Sequence, residues 1–197
     1  MVGKALTVFV VGAAAGALCD QLHVQGGIIA YRDPQLFGQP WWILPQYGLA
    51  ALLGYLAAVG FRTRLAPAGE TVPVAAAWLL IAYVATAVVQ RAHGWLAFVL
   101  LATWLVRCLI PRYRSTTIMI YCVGAAAVGI TYEAILTWTG AFTYLRPDVR
   151  GLPYWLPGLY LNAALLLPAV ARPAGHNSGE VVVSASPDGH NSGEPVA

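Results

Sequence analysis

Charge is what this chain has least of. Only 10% of its 197 residues are Asp, Glu, Lys or Arg, where a soluble domain carries about a quarter. That scarcity argues against a water-soluble fold. It also argues against a nucleic-acid-binding surface, because 11 Lys+Arg and a formal net charge of +3 are too few to track phosphates. Cysteine is scarce as well. Cys19, Cys108 and Cys122 lie in apolar stretches with no C-x-x-C or C-x-x-C-H spacing, so zinc, haem attachment and dithiol chemistry have no support. They read as small buried hydrophobes. No G-x-S-x-G, H-E-x-x-H, Walker A or G-x-G-x-x-G motif occurs. Of the eight acids, Glu180, Asp188 and Glu194 fall near the C-terminus, which leaves few to gather round a metal. No catalytic residue, metal ligand or cofactor is assigned.

What is abundant is apolar sequence: 59% of the residues are hydrophobic. It falls into six runs, about 5–19, 41–60, 73–90, 95–110, 117–138 and 154–170, punctuated by arginines and prolines. Roughly 20 apolar residues cross a bilayer as a helix. The runs are continuous and do not alternate with period two, which favours helices over a barrel. The expected fold is all-α, a polytopic membrane protein of six transmembrane helices over 1–172. Residues 173–197 read as a disordered polar tail in which GHNSGE occurs twice, at 175–180 and 189–194. Lys4 followed by an apolar run resembles a signal peptide, but the run leads into further membrane segments and is read as a retained span.

Orientation follows from Lys and Arg in the short connections. Lys4, Arg62, Arg64, Arg107, Arg112, Arg114 and Arg172 share one side, against Arg32, Arg91, Arg146 and Arg150 on the other, seven against four. Both termini are expected in the cytoplasm, with the protein in the inner (cell) membrane. Trp41, Trp42, Tyr154 and Trp155 sit at span ends, where aromatic rings meet the headgroups. Pro45 and Pro157 are expected to kink the second and sixth spans. The small-residue stretches 12–17 and 124–129 allow close helix packing, inside the bundle in preference to a subunit interface. A homo-oligomer, a trimer included, is compatible with them. No repeat between the halves is evident, as a transporter would show.

Polar side chains inside spans are the functional candidates. Glu133 lies well inside the fifth run, Gln46 in the second and Asn162 in the sixth; Asp20 and Gln90 end the first and third. In the orientation above all five fall in the half of the membrane away from the cytoplasm, which suggests one polar pocket for a lipid headgroup bearing hydroxyls or esters. Interhelical hydrogen bonding alone is the competing reading for Gln46 and Asn162, and an interfacial position for Asp20. His23 and Asp20 are three apart but flank a loop, so His23 reads as interfacial. Asp148 reads as a cap or a bond to loop amides.

Two stretches are more specific than composition. One is Trp41-Trp42-Ile43-Leu44-Pro45-Gln46-Tyr47-Gly48. The other is Thr139-Gly140-Ala141-Phe142-Thr143-Tyr144-Leu145-Arg146-Pro147-Asp148, followed by Tyr154-Trp155-Leu156-Pro157. Together they resemble the Insig family, membrane proteins of the endoplasmic reticulum that bind oxysterols and retain the escort protein Scap. Members carry WW-x-x-P-x-x-G opening the second span and a Gly-x-x-x-Tyr-x-x-Pro-Asp loop, then Trp-Leu-Pro, before the last. The resemblance spans about 8–172. It implies six helices, cytosolic termini and a sterol-like or diacylglycerol-like lipid as partner, with Tyr83 matching the family's third-span aromatic at the sterol site. The family's Phe-Asp-Arg-Ser-Arg-Ser turn reads here Ile110-Pro111-Arg112-Tyr113-Arg114-Ser115, so Pro111 replaces the Asp that engages Scap, and a Scap-type partner is not expected. Two family tryptophans fall on Arg107 and Cys108. The compact, Ala-, Arg- and Trp-rich chain is similar to a bacterial, actinobacterial or mycobacterial, member. The resemblance implies a lipid-binding protein and no enzyme. A membrane enzyme acting on a lipid or isoprenoid, and a scaffold for other membrane proteins, stand as alternatives.

Overall fold

The computed structural model describes residues 2–61, 70–89, 93–109 and 116–171. In chain order the elements are α1 (Val2–Gln25), β1 (Ile29–Tyr31), α2 (Ile43–Phe61), α3 (Val72–Val88), α4 (His93–Leu109), α5 (Thr116–Trp138), β2 (Phe142–Tyr144), α6 (Leu156–Ala164) and α7 (Leu166–Ala171). Each apolar run became a helix, and the sixth is divided between α6 and α7. Three of the helices, α1, α2 and α5, are long and apolar enough to cross a membrane, while α3, α4 and the α6–α7 segment are shorter apolar helices. The bundle is an all-helical membrane fold apart from one small sheet.

Large apolar side chains such as Leu6, Val10, Leu53, Phe98, Ile120 and Val128 point outward, while Asp20, His23, Thr86, Arg107 and Asn162 are buried. In water that distribution would be unfavourable; in lipid the outer apolar surface is already solvated. One buried cluster gathers Tyr55, Ala58, Trp104, Ile118, Cys122 and Leu161. The other gathers Ile29, Leu96, Leu100, Phe142, Trp155 and Leu159. Cys108 and Cys122 are fully buried, as small hydrophobes would be.

Several sequence expectations change here. The first helix runs six residues beyond 19, which brings Asp20 and His23 inside it, both 4% exposed. They are buried helix residues, not interfacial ones flanking a loop. Pro45 and Pro157 kink nothing: each lies in the first turn of its helix, where the missing N–H has no intrahelical partner in any case. The break in the sixth segment falls at Leu165. Pro168 accounts for it, since its ring has no N–H and clashes with the carbonyl four residues back, at Ala164. Trp41 and Tyr154 are exposed at helix starts as expected, but Trp155 is 2% exposed and belongs to the core. Arg107 is buried inside the bundle and drops out of the loop charges.

Two segments outside the helices pair as antiparallel strands. The register is Ile29 with Tyr144, Ala30 with Thr143 and Tyr31 with Phe142. Three residues per strand are too short to announce themselves by alternation. The sheet ties the loop after α1 to the loop after α5 and closes one end of the site. The stripe at 12–16 packs internally: a Cβ on Gly12 would run into Ala51, and one on Gly16 into the Tyr47 ring. Gly129 likewise faces the Tyr160 ring, whereas Gly124 faces open space.

Candidate functional site

A cleft opens between α1, α2, α3, α5 and α6 beneath the two-stranded sheet. The space about it amounts to about 390 Å³, open surroundings included, of which about 20 Å³ admits the centre of a water-sized body. Its walls carry Asp20 and His23 from α1, Gln46 and Tyr47 from α2, Tyr83 from α3, Glu133 from α5, and Tyr31 and Tyr144 from the sheet. Leu136, Phe142, Leu156 and Leu159 supply the apolar part. Among the described residues no Lys or Arg lines it.

Both carboxylates are held by tyrosines. Tyr31 Oη donates to Asp20 Oδ2 at 2.8 Å and Tyr47 Oη to Oδ1 at 3.2 Å. Gln39 Nε2 adds a third bond to Oδ2, at 2.7 Å. Glu133 accepts from Tyr160 Oη on Oε1, at 2.6 Å, and from Tyr144 Oη on Oε2. A carboxylate offers about four acceptor sites, so both keep capacity for a further donor. His23 Nε2 lies 2.8 Å from Thr86 Oγ1, which is also 2.9 Å from the Ala82 and Tyr83 carbonyl oxygens. The pair is hydrogen-bonded in either imidazole tautomer, because the hydroxyl can donate or accept. The ring is flanked by Tyr83 and Trp155, with centroids 5.1 and 5.4 Å away. Gln46 Oε1 accepts from Tyr132 Oη at 3.0 Å, which ties α2 to α5.

Of the residues singled out in the sequence, Asp20, Gln46, Tyr83 and Glu133 thus meet in one cleft. Asn162 lies elsewhere. Its Oδ1 accepts from Arg107 Nη1 at 2.7 Å, and its Nδ2 donates to the Leu100 and Gly158 carbonyls at 2.9 and 2.8 Å. Arg107 in turn makes two bonds to Glu70, Nε to Oε1 at 2.8 Å and Nη2 to Oε2, and lies 5.5 Å from the Trp78 ring centroid. Gln90 and Pro111 lie outside the described residues. The tyrosines at 31, 47, 144 and 160 escaped sequence reasoning, because a phenol reads as an ordinary aromatic until its partner is known. Asp148 does bond a loop amide: its Oδ2 accepts from Tyr154 N at 2.8 Å in an exposed turn, and it does not line the cleft. Among the described residues no group of three His, Cys, Asp or Glu could hold a metal.

The arrangement of helices, small sheet and cleft has a counterpart among solved structures. A mycobacterial Insig homologue, MvINS from Mycobacterium vanbaalenii, superposes with TM-score 0.68 at 20% identity, over 87% of this chain and 93% of that one. The fold is that of an Insig homologue. A cross-linked MvINS trimer matches in the same way, with TM-score 0.69 and 21% identity, over 87% of this chain and 93% of that chain. No protein-family model matches the chain, and neither does any curated protein. The Insig fold agrees with the two motifs: Trp41 to Gly48 opens α2, and Thr139 to Pro157 spans β2 and the turn into α6.

Proposed function

We propose that the chain is a bacterial Insig-family protein that binds a neutral, hydroxyl-bearing lipid of diacylglycerol-like or sterol-like chemistry, without catalysing a reaction on it. The observation that carries this reading is the cleft with two tyrosine-held carboxylates and, among the described residues, no lining Lys or Arg. A phosphate placed there would meet uncompensated acceptors. A hydroxyl donates to them, while Leu136, Leu156 and Leu159 offer apolar wall to an acyl chain or ring system. Asp20, Gln46, Tyr83 and Glu133 are the proposed headgroup residues, and Asn162 is assigned to the Arg107 network instead.

The protein sits in the cell membrane with both termini in the cytoplasm. Without Arg107 the loop arginines and lysine still favour that side, six against four. The membrane unit is 1–172, and a homo-oligomer through the outer apolar faces fits the trimer described for MvINS.

Mass spectrometry of lipid co-purified in mild detergent tests the reading. A neutral hydroxyl lipid enriched over the detergent-solubilised background is expected, falling about twofold or more in Glu133→Ala, which removes one of the hydroxyl's acceptors. Lipid at background composition would sink it.

A further inference from the structure

The sheet brings together two segments that are copies of one another. Each residue of the second lies 113 positions after its counterpart in the first, as Phe142 does after Ile29. Gln25 and Trp138 end α1 and α5, and Ile43 and Leu156 begin α2 and α6, all at the same offset. Backbone conformation follows it. Gly27 and Gly140 have φ of +64° and +72°, Phe37 and Arg150 +51° and +50°, Gly38 and Gly151 +88° and +86°. So does hydrogen bonding. Gln39 N donates to Leu36 O as Leu152 N does to Val149 O, and Arg32 N to Ala141 O as Leu145 N does to Ile28 O. Even a side-chain bond recurs: Trp41 N donates to Gln35 Oε1, and Tyr154 N to Asp148 Oδ2. Ala30 pairs with its own counterpart Thr143, so a pseudo-two-fold axis passes between them. The expectation that the halves hold no repeat is therefore corrected.

The cleft lies on that axis. Asp20 and Glu133 are counterparts, and so are the tyrosines that hold them, Tyr31 with Tyr144 and Tyr47 with Tyr160. Gly16 and Gly129, each making room for the second tyrosine of its unit, match as well. The copies differ where one wall is polar and the other apolar: His23 faces the cleft opposite the place of Leu136, and Gln46 opposite that of Leu159.

We infer that the chain is an internal duplication whose two units give the cleft two interchangeable acceptors, so that a lipid hydroxyl is taken by Asp20 or by Glu133. This rests on the lipid reading above. Two equivalent acceptors make each one partly dispensable. Glu133 is the stronger of the two, because Gln39 already occupies an acceptor site on Asp20 while its counterpart Leu152 donates nothing to Glu133.

The test measures retention of 1,2-dioleoylglycerol by the full chain in phosphatidylcholine nanodiscs. Asp20→Asn and Glu133→Gln, near-isosteric changes, should each lower retention about two- to fivefold, Glu133→Gln the more. The double variant should lose more than tenfold beyond either. One single variant as poor as the double, or a double variant that binds like the parent, overturns the inference while leaving lipid binding intact. A parent chain that retains no dioleoylglycerol overturns the lipid reading and this one together. Tyr31→Phe and Tyr144→Phe read the duplication without any lipid. Similar falls in melting temperature support it, and a fall in one with none in the other overturns the equivalence.

Discussion

Arg107 and Glu70 form an ion pair shut inside the bundle, with the arginine 3% exposed and its Nε and Nη2 bonded to the two carboxylate oxygens. The pair joins the segment leading into α3 to α4, and Asn162 extends it to α6. Removing one member leaves the other charge buried without compensation, which costs about 3–5 kcal/mol. Arg107→Met should therefore be severely destabilised in denaturant titrations in detergent. Arg107→Met with Glu70→Gln should recover much of the loss, because the stranded carboxylate is gone. A double variant as unstable as the single would show that the guanidinium acts mainly through its packing on Trp78.

Gly16 and Gly124 belong to similar small-residue stretches but meet different surroundings. A methyl group on Gly16 overlaps the Tyr47 ring, and that ring's hydroxyl is bonded to Asp20. Gly124 has nothing within 4 Å. Gly16→Ala should cost about 1–3 kcal/mol, the range for overpacking. Gly124→Ala should stay within about 0.5 kcal/mol of the parent. Unfolding midpoints measured side by side check this, and equal effects would mean that Tyr47 has room to turn aside.

How much of this was legible beforehand differs from one feature to the next. Six apolar runs announced the helices because bilayer solvation writes itself into composition over about 20 residues at a time. The end of α1 was missed because Asp20 and His23 look like a polar stop until their partners Tyr31, Gln39 and Thr86 are seen. Glu133, Gln46 and Tyr83 stand out in the sequence by their cost or by resemblance, and they line one cleft. Asn162 was misplaced because an amide inside a span says that it has a partner, not which one. The duplication was present in the chain, in Tyr-x-x-Pro followed by Gly-x-Pro at 31–40 and 144–153. Few of its other residues are identical, since side chains diverge freely where the backbone geometry alone must be kept.

Tyr31 and Tyr144 lie in the strands, outside the helices, and both are sensitive to alkali in one direction. Burial pushes both hydroxyls above the ordinary value of 10.0, and the nearby Asp20 and Glu133 carboxylates push the same way. An unfolded chain loses these protons near pH 10 and the folded chain keeps them. Above that point the unfolded state binds fewer protons, so stability falls as pH rises. Below about pH 9 both states hold the protons and the contribution is whole. The part of the denaturation midpoint that these two hydroxyls supply should be constant across that lower range and be lost above about pH 10. The double variant Tyr31→Phe with Tyr144→Phe should start lower, having lost two hydrogen bonds, and drop less steeply. Parallel curves for the two proteins would sink the assignment.

Phe37 combines a left-handed backbone, φ +51°, with a ring that is 87% exposed. Its carbonyl is fixed by Gln21 Nε2 at 2.9 Å, which holds the turn to α1. Left-handed geometry suits Asn and is worst for a β-branched residue. Phe37→Asn and Phe37→Val both remove the ring, so any loss of its contact with the headgroup region is common to the two. The Asn variant should be the more stable by about 1 kcal/mol or more, the size of the strain that an L-residue meets there. Thermal melts in one detergent read the difference. Equal melting temperatures would mean that the turn relaxes out of the left-handed region once Phe37 is replaced.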